Sequence, residues 1–212
     1  HSHLHISQYS RDFAGHQGLK NAPVIYGGVD TEFFSPGKRE KINPTIVFVG
    51  RLMPHKGIDV VIDALPEGLA LQIIGRPYDS AYYDYLVRLS KDKEVSFHHD
   101  YDDMKIREAY RRANCVVLPS LYSDCYGNFS SVPELLGQTL LEGMACGIPG
   151  LVTNVASLPE IVLDGTDGWV VPPNNVEKLR SALLEIRDNT KEVLRRGHLA
   201  REKIVQFFTW NK

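Results

Sequence analysis

A chain of 212 residues, 43% of them hydrophobic, is long enough for one domain with a substantial core or for two small ones. Its 24 basic and 26 acidic residues leave a net charge of −2, which excludes the overall basic bias of a protein that binds nucleic acid through charge. No apolar run approaches the roughly 20 residues that cross a bilayer. The N-terminus has no signal-peptide pattern, so a cytoplasmic location is expected.

The chain opens on His1-Ser2-His3-Leu4-His5, which reads as a tag remnant, a native turn or a metal site; the first two readings are favoured, because a disordered end cannot fix coordination geometry. Residues 6–18 read as helical, and residues 1–22 are expected to form an N-terminal segment or interdomain linker ahead of a domain over 23–212. Short apolar runs at 45–49, 69–74, 95–97, 115–118 and 150–152 read as buried strands. Between them lie helical segments at 58–65, 80–89, 103–112 and 139–146, and helices at 176–187 and 191–207 close the chain. Strands alternating with helices predict an α/β domain with a parallel sheet and helices on both faces. Loops are short except at 121–133, and a loop of that length inside a compact α/β domain often has a function. Cys115 and Cys146 fall in apolar patterns that predict buried thiols. With Cys125 they form neither a metal-ligand spacing nor an even disulfide set, which fits a reducing compartment.

The richest stretch runs from Glu134 to Pro149. It places Glu134 just before a predicted helix and Glu142 inside it, with seven residues between. Gly137 stands where the helix begins, and Gly147 with Pro149 would end it. A helix N-terminus offers unpaired N–H groups and a positive dipole end to an anion. Two carboxylates beside it can accept hydrogen bonds from sugar hydroxyls, so the pattern suits a ligand with hydroxyls at both ends and phosphate between. Arg51 and Lys56 follow the predicted 45–49 strand, and Glu134 follows the 115–118 strand through the long loop. Ligands of open α/β sheets bind outside the carboxyl ends of strands, so both groups belong on one rim.

Competing motifs are weaker. The Gly50–Gly57 segment lacks the glycine before Lys56 and the Ser/Thr after it that a Walker loop needs, and no Gly-x-Gly-x-x-Gly follows a strand. Asp100-Tyr101-Asp102 has the letters of an Asp-x-Asp metal motif, yet neighbouring His98 and His99 add no defined metal spacing. The basic residues Arg195, Arg196, Arg201 and Lys203 interleave with acidic ones and read as a solvated helix face. Glu160 is expected near a helix start in a structural role.

The Glu134…Glu142 stretch resembles the Glu-x7-Glu signature of retaining glycosyltransferases of the GT-B fold, the large group 1 family. Further elements resemble that family in the same order: Val24–Pro36 its NGVD…F.P element, Phe48–Gly57 its VGRL…KG loop, and Leu158–Pro172 its LPEIV.DG..G.LVPP stretch. The resemblance implies a Rossmann-like domain, one half of a GT-B enzyme. It implies that Arg51 and Lys56, with Gly50, hold the diphosphate of a UDP- or GDP-type sugar donor without a metal. Glu134 would orient the transferred sugar and Glu142 would bind the ribose. Backbone N–H groups of Gly137, Gln138 and Thr139 would face the phosphates or sugar. Gly75-Arg76-Pro77 and Tyr26-Gly27-Gly28 depart from the family pattern, which bears on donor specificity, and loop 121–133 looks like an insertion.

Every matched motif belongs to the family's C-terminal donor half. The chain is therefore expected to be that half of a hexosyltransferase, with its acceptor-binding N-terminal domain missing and little transfer activity alone. Three alternatives stay open: a noncatalytic nucleotide-sugar binding module, a sugar-nucleotide epimerase on the same fold, and a metal-dependent enzyme using the Asp-x-Asp motif.

Overall fold

A computed structural model of the protein describes residues 4–15, 22–38 and 43–210. His1, His3 and the end of the predicted 6–18 helix lie outside the described residues.

Six strands form one parallel sheet: β1 Thr45–Val49, β2 Ala70–Ile74, β3 Val95–His98, β4 Cys115–Leu118, β5 Gly150–Thr153 and β6 Gly168–Val171. Their order is β3-β2-β1-β4-β5-β6. Strands β4 and β5 are buried along their whole length, and β1 is buried from Ile46 to Val49. That is why they read as unbroken apolar runs: a parallel sheet covered on both faces leaves no polar side. The last strand, β6, is absent from the sequence-predicted set. It is four residues long and opens on a glycine, as the correctly read β5 does. Gly168 is required by packing, since a Cβ there would lie 2.1 Å from the Gly150 carbonyl oxygen on β5.

The helices are α1 Gln8–Gly15, α2 Ile58–Ala64, α3 Ser80–Leu89, α4 Asp103–Arg112, α5 Gln138–Ala145, α6 Leu158–Ile161, α7 Val176–Asp188 and α8 Thr190–Phe207. Helix α2 packs on α3 and α7, while α5 packs on α4 and α8. With right-handed crossovers these two groups cover opposite faces of the sheet. Among the described residues side chains cap five helix starts: Ser7 Oγ accepts from Ser10 N, Asp79 from Tyr82 N, Asp102 from Lys105 N, Asn175 from Lys178 N and Asn189 from Glu192 N. Each such cap is worth about 1 kcal/mol. Among the described residues no helix is long and apolar enough to cross a membrane.

The N-terminal segment lies against this domain. The Glu160 carboxylate accepts from Gln8 N at 2.8 Å and Tyr9 N at 2.7 Å, so it sits at the positive end of α1. It also accepts from the Tyr26 hydroxyl at 2.8 Å. Glu160 is thus structural, as expected, but the helix start it serves is α1 as well as its own α6. The loop between β4 and α5 is internally tied: Asp124 Oδ1 accepts from Tyr126 N and Asn128 N at 2.9 Å each.

Candidate functional site

The strand order reverses between β1 and β4, and at such a point the loops leaving the two strands part and open a crevice. Leaving β1, the chain passes Gly50 and Arg51 and makes a 3-10 turn at Pro54–Lys56. Gly57 ends that turn in the left-handed region at φ 66° and starts α2. Leaving β4, it runs through the long loop to Glu134 and enters α5 at Gly137, at φ 87° and ψ 56°. A side chain at Gly137 would be strained by that φ and would meet Leu118 and Leu158 at 3.2 and 3.3 Å.

These exits enclose a cavity of about 230 Å³. Phe48, Val49 and Leu118 form its apolar wall, and Gly50, Arg51, Lys56, Glu134, Gly137, Gln138 and Thr139 supply the polar side. Every site residue expected from the sequence is there except Glu142.

Lys56 directs its Nζ at Glu134 Oε2 at 2.7 Å, with side-chain exposures of only 12% and 14%. Ser120, at the exit of β4, adds its hydroxyl at 3.5 Å. Arg51 differs: it is exposed, has no ion pair among the described residues, and lies 5.7 Å from the centre of the Tyr78 ring. The N–H groups of Leu140 and Leu141 are taken by the Gly137 carbonyl. Those of Gly137, Gln138 and Thr139 have no acceptor among the described residues. The first turn of a helix leaves such donors unpaired, and here the residues that carry them line the cavity. The Gln138 side chain is engaged elsewhere, donating to the Gly28 carbonyl at 3.1 Å, which draws the 26–28 segment to the rim. His55 is held below its usual pKa by burial and by the neighbouring Lys56 and Arg51 charges, so it is a neutral imidazole near pH 7.

Glu142 lies one turn into α5 and turns toward α4, where the Tyr110 hydroxyl donates to its Oε2 at 3.2 Å and to the Thr139 carbonyl at 2.9 Å. Burial raises its pKa to about 7, and the Tyr110 hydrogen bond opposes the rise. Sequence reasoning placed Glu142 near the helix start but missed Tyr110, which lies 32 residues away on another helix with no local signal. Ser120 was also missed, although its position just past a predicted strand on the same rim could have marked it.

The Asp-x-Asp letters have a structural explanation. Asp102 is the cap of α4, and the His99 ring lies between the Gly75 carbonyl at 2.7 Å and the Tyr83 hydroxyl at 3.1 Å. Among the described residues no three His, Cys, Asp or Glu side chains are grouped to hold a metal ion. Cys115 and Cys146 are buried, as expected, and Cys125 is exposed.

The profile of the family described as glycosyl transferases group 1 matches residues 29–203. A D-inositol 3-phosphate glycosyltransferase of Mycolicibacterium smegmatis is 30% identical over 191 residues, covering 82% of this chain and 42% of that protein. The crystal structure of Anabaena HepE in complex with UDP and glucose superimposes with a TM-score of 0.82 at 21% identity, over 97% of this chain and 59% of that one. The solved C-terminal domain of a glycosyl transferase group 1 family protein from Francisella tularensis superimposes with a TM-score of 0.71 at 21% identity. That match covers 87% of this chain and 100% of that one. These likenesses show the parallel, Rossmann-like sheet of one half of a GT-B fold. The chain spans about half the length of the curated relatives it matches.

Proposed function

This chain belongs to the group 1 glycosyl transferases, and from that premise we propose that it is the donor-binding half of a retaining hexosyltransferase. Its ligand in this reading is a UDP- or GDP-type sugar, and an N-terminal domain supplies the acceptor. The observation that carries the reading is the convergence of Arg51, Lys56 and the unpaired N–H groups of α5 on one cavity at the strand-order reversal. All three are positive, and all three stand where an anion would lie.

In the reaction the bond from the sugar anomeric carbon to the diphosphate oxygen breaks, and negative charge grows on the phosphate. Arg51 offers a planar fork of donors to that charge, Lys56 a compact one, and the α5 N–H groups fixed dipoles. The diphosphate charge is thereby matched by the protein's own groups, so donor binding is expected to be independent of metal. Glu134, beside them, receives sugar hydroxyls and orients the ring. Glu142, expected from the family resemblance to bind the ribose, is turned toward α4 and held by Tyr110, so in this reading it must swing away from Tyr110 to meet the ribose. The acceptor oxygen then bonds to the anomeric carbon on the face the diphosphate leaves, and its proton passes to the departing phosphate oxygen. The complex of HepE with UDP and glucose supports a sugar-nucleotide ligand.

Calorimetric titration of the chain with UDP, GDP and ADP and their sugar conjugates, with and without EDTA, tests this. Chelator-insensitive binding to one base is expected. Binding that collapses in EDTA, or appearance of an epimerised sugar nucleotide, would overturn the reading. So would efficient sugar transfer by this chain alone, as far as the half-enzyme is concerned.

A further inference from the structure

The two cations of the cavity stand in different states. Arg51 is exposed and unpaired among the described residues, whereas the Lys56 ammonium lies 2.7 Å from the Glu134 carboxylate, both side chains largely withdrawn from water. Glu134 has little else to accept from: the Ser120 hydroxyl at 3.5 Å is its other donor among the described residues. A poorly solvated carboxylate that loses its cation is costly unless another donor replaces it.

Resting on the donor reading above, we propose that the Lys56–Glu134 pair makes the cavity discriminate between a nucleoside diphosphate sugar and the bare nucleoside diphosphate. A diphosphate reaching the α5 N-terminus draws the Lys56 ammonium to itself. If it carries a sugar, sugar hydroxyls replace that ammonium at Glu134 and every charge keeps a partner. If it carries none, Glu134 is left with a neighbouring anion and only a distant hydroxyl. The same carboxylate that helps hold the loaded donor thus weakens binding of the product left after transfer, which favours its release. Glu134 is a specificity-determining residue in this account, and it acts through Lys56 as well as through the sugar.

The test is a ratio of affinities measured on the whole chain. Wild type and Glu134→Gln are titrated with UDP and UDP-glucose, and with GDP and GDP-mannose. Wild type is expected to bind the sugar conjugate at least about tenfold more tightly than the bare diphosphate. Glu134→Gln is expected to bind the bare diphosphate about tenfold more tightly than wild type does, bringing the ratio close to one. Glu134→Ser, smaller and also neutral, shifts the ratio the same way and serves if the Gln variant does not fold. Equal or weaker diphosphate binding in both variants would overturn the inference while leaving the donor site standing, because Lys56 would then serve both anions at once. Failure of wild type to bind any of these ligands would instead remove the donor reading, and the inference with it.

Discussion

Two cavities of nearly equal size lie at opposite rims of the sheet, and each is lined by two lysine or arginine side chains. One, of about 230 Å³, holds Arg51 and Lys56 at the carboxyl ends of β1 and β4. The other, of about 240 Å³, holds Arg111 and Arg201 at the end of α5 that leads into β5. In the second the cations are already engaged. Arg201 donates to the carbonyls of Thr31, Phe34 and Ala145 at 2.8–3.0 Å. Arg111 donates to the Ser35 carbonyl at 2.7 Å and to Glu108 at 2.8 Å. The helix end beside them is the negative one, so these side chains fasten the 31–35 segment to the domain. In the first cavity Lys56 is paired with Glu134, but among the described residues Arg51 has no ion pair and three N–H groups lack acceptors, and the helix end is positive. In the reading proposed above, donors left without protein partners, rather than charge alone, mark the anion site.

The comparison breaks first at the cations themselves. Arg51→Ala combined with Lys56→Ala is expected to weaken nucleotide binding by roughly 100-fold, about 3 kcal/mol, because two charge-assisted sets of hydrogen bonds are lost. Arg111→Ala should leave the affinity within twofold of wild type. Calorimetry on both variants checks this, and equal losses would erase the distinction between the rims.

A second effect concerns pH and isolates Glu142. Its folded-state pKa of about 7 lies above the usual 4.5, so between these values the folded chain binds more protons than the unfolded one. Its contribution is therefore fully present below pH 4.5 and is lost as pH rises through 7, up to roughly 3 kcal/mol. Glu142→Gln should raise Tm relative to wild type above pH 7 and flatten the profile between pH 5 and 8. Parallel melting curves for the two proteins would contradict the burial argument.

Arg201→Ala sharpens the contrast from the other side. Losing three hydrogen bonds from a charged donor is expected to lower stability by about 2 kcal/mol in urea unfolding, with nucleotide affinity unchanged. The smallest effect is Asp102→Ala, which removes the α4 cap and should cost about 1 kcal/mol. It should leave nucleotide binding insensitive to EDTA, whereas a metal role for Asp100-Tyr101-Asp102 would make binding collapse.

What the sequence disclosed follows the same physical division. Strands β1, β4 and β5 were legible because both faces are buried and the chain must be apolar throughout. Strand β6 was not, although β5 is equally short and also opens on a glycine; the contact of Gly168 with the Gly150 carbonyl is set by a neighbouring strand and leaves no local mark. The cavity was legible because its donors follow directly from strand ends and a helix start, where sequence position fixes spatial position. The engagement of those groups was not: the Lys56–Glu134 and Tyr110–Glu142 contacts join residues 78 and 32 apart. No local pattern states which charges find partners, and that is the property on which the two rims differ.

The most direct test follows the backbone amides by 15N–1H NMR as UDP or GDP is added. The largest shifts are predicted at Gly50, Gly137, Gln138 and Thr139, with Gly147 and the amides around Arg111 and Arg201 unmoved. Shifts centred on that second cavity, or none anywhere, would contradict the claim that the β1–β4 rim is the nucleotide site.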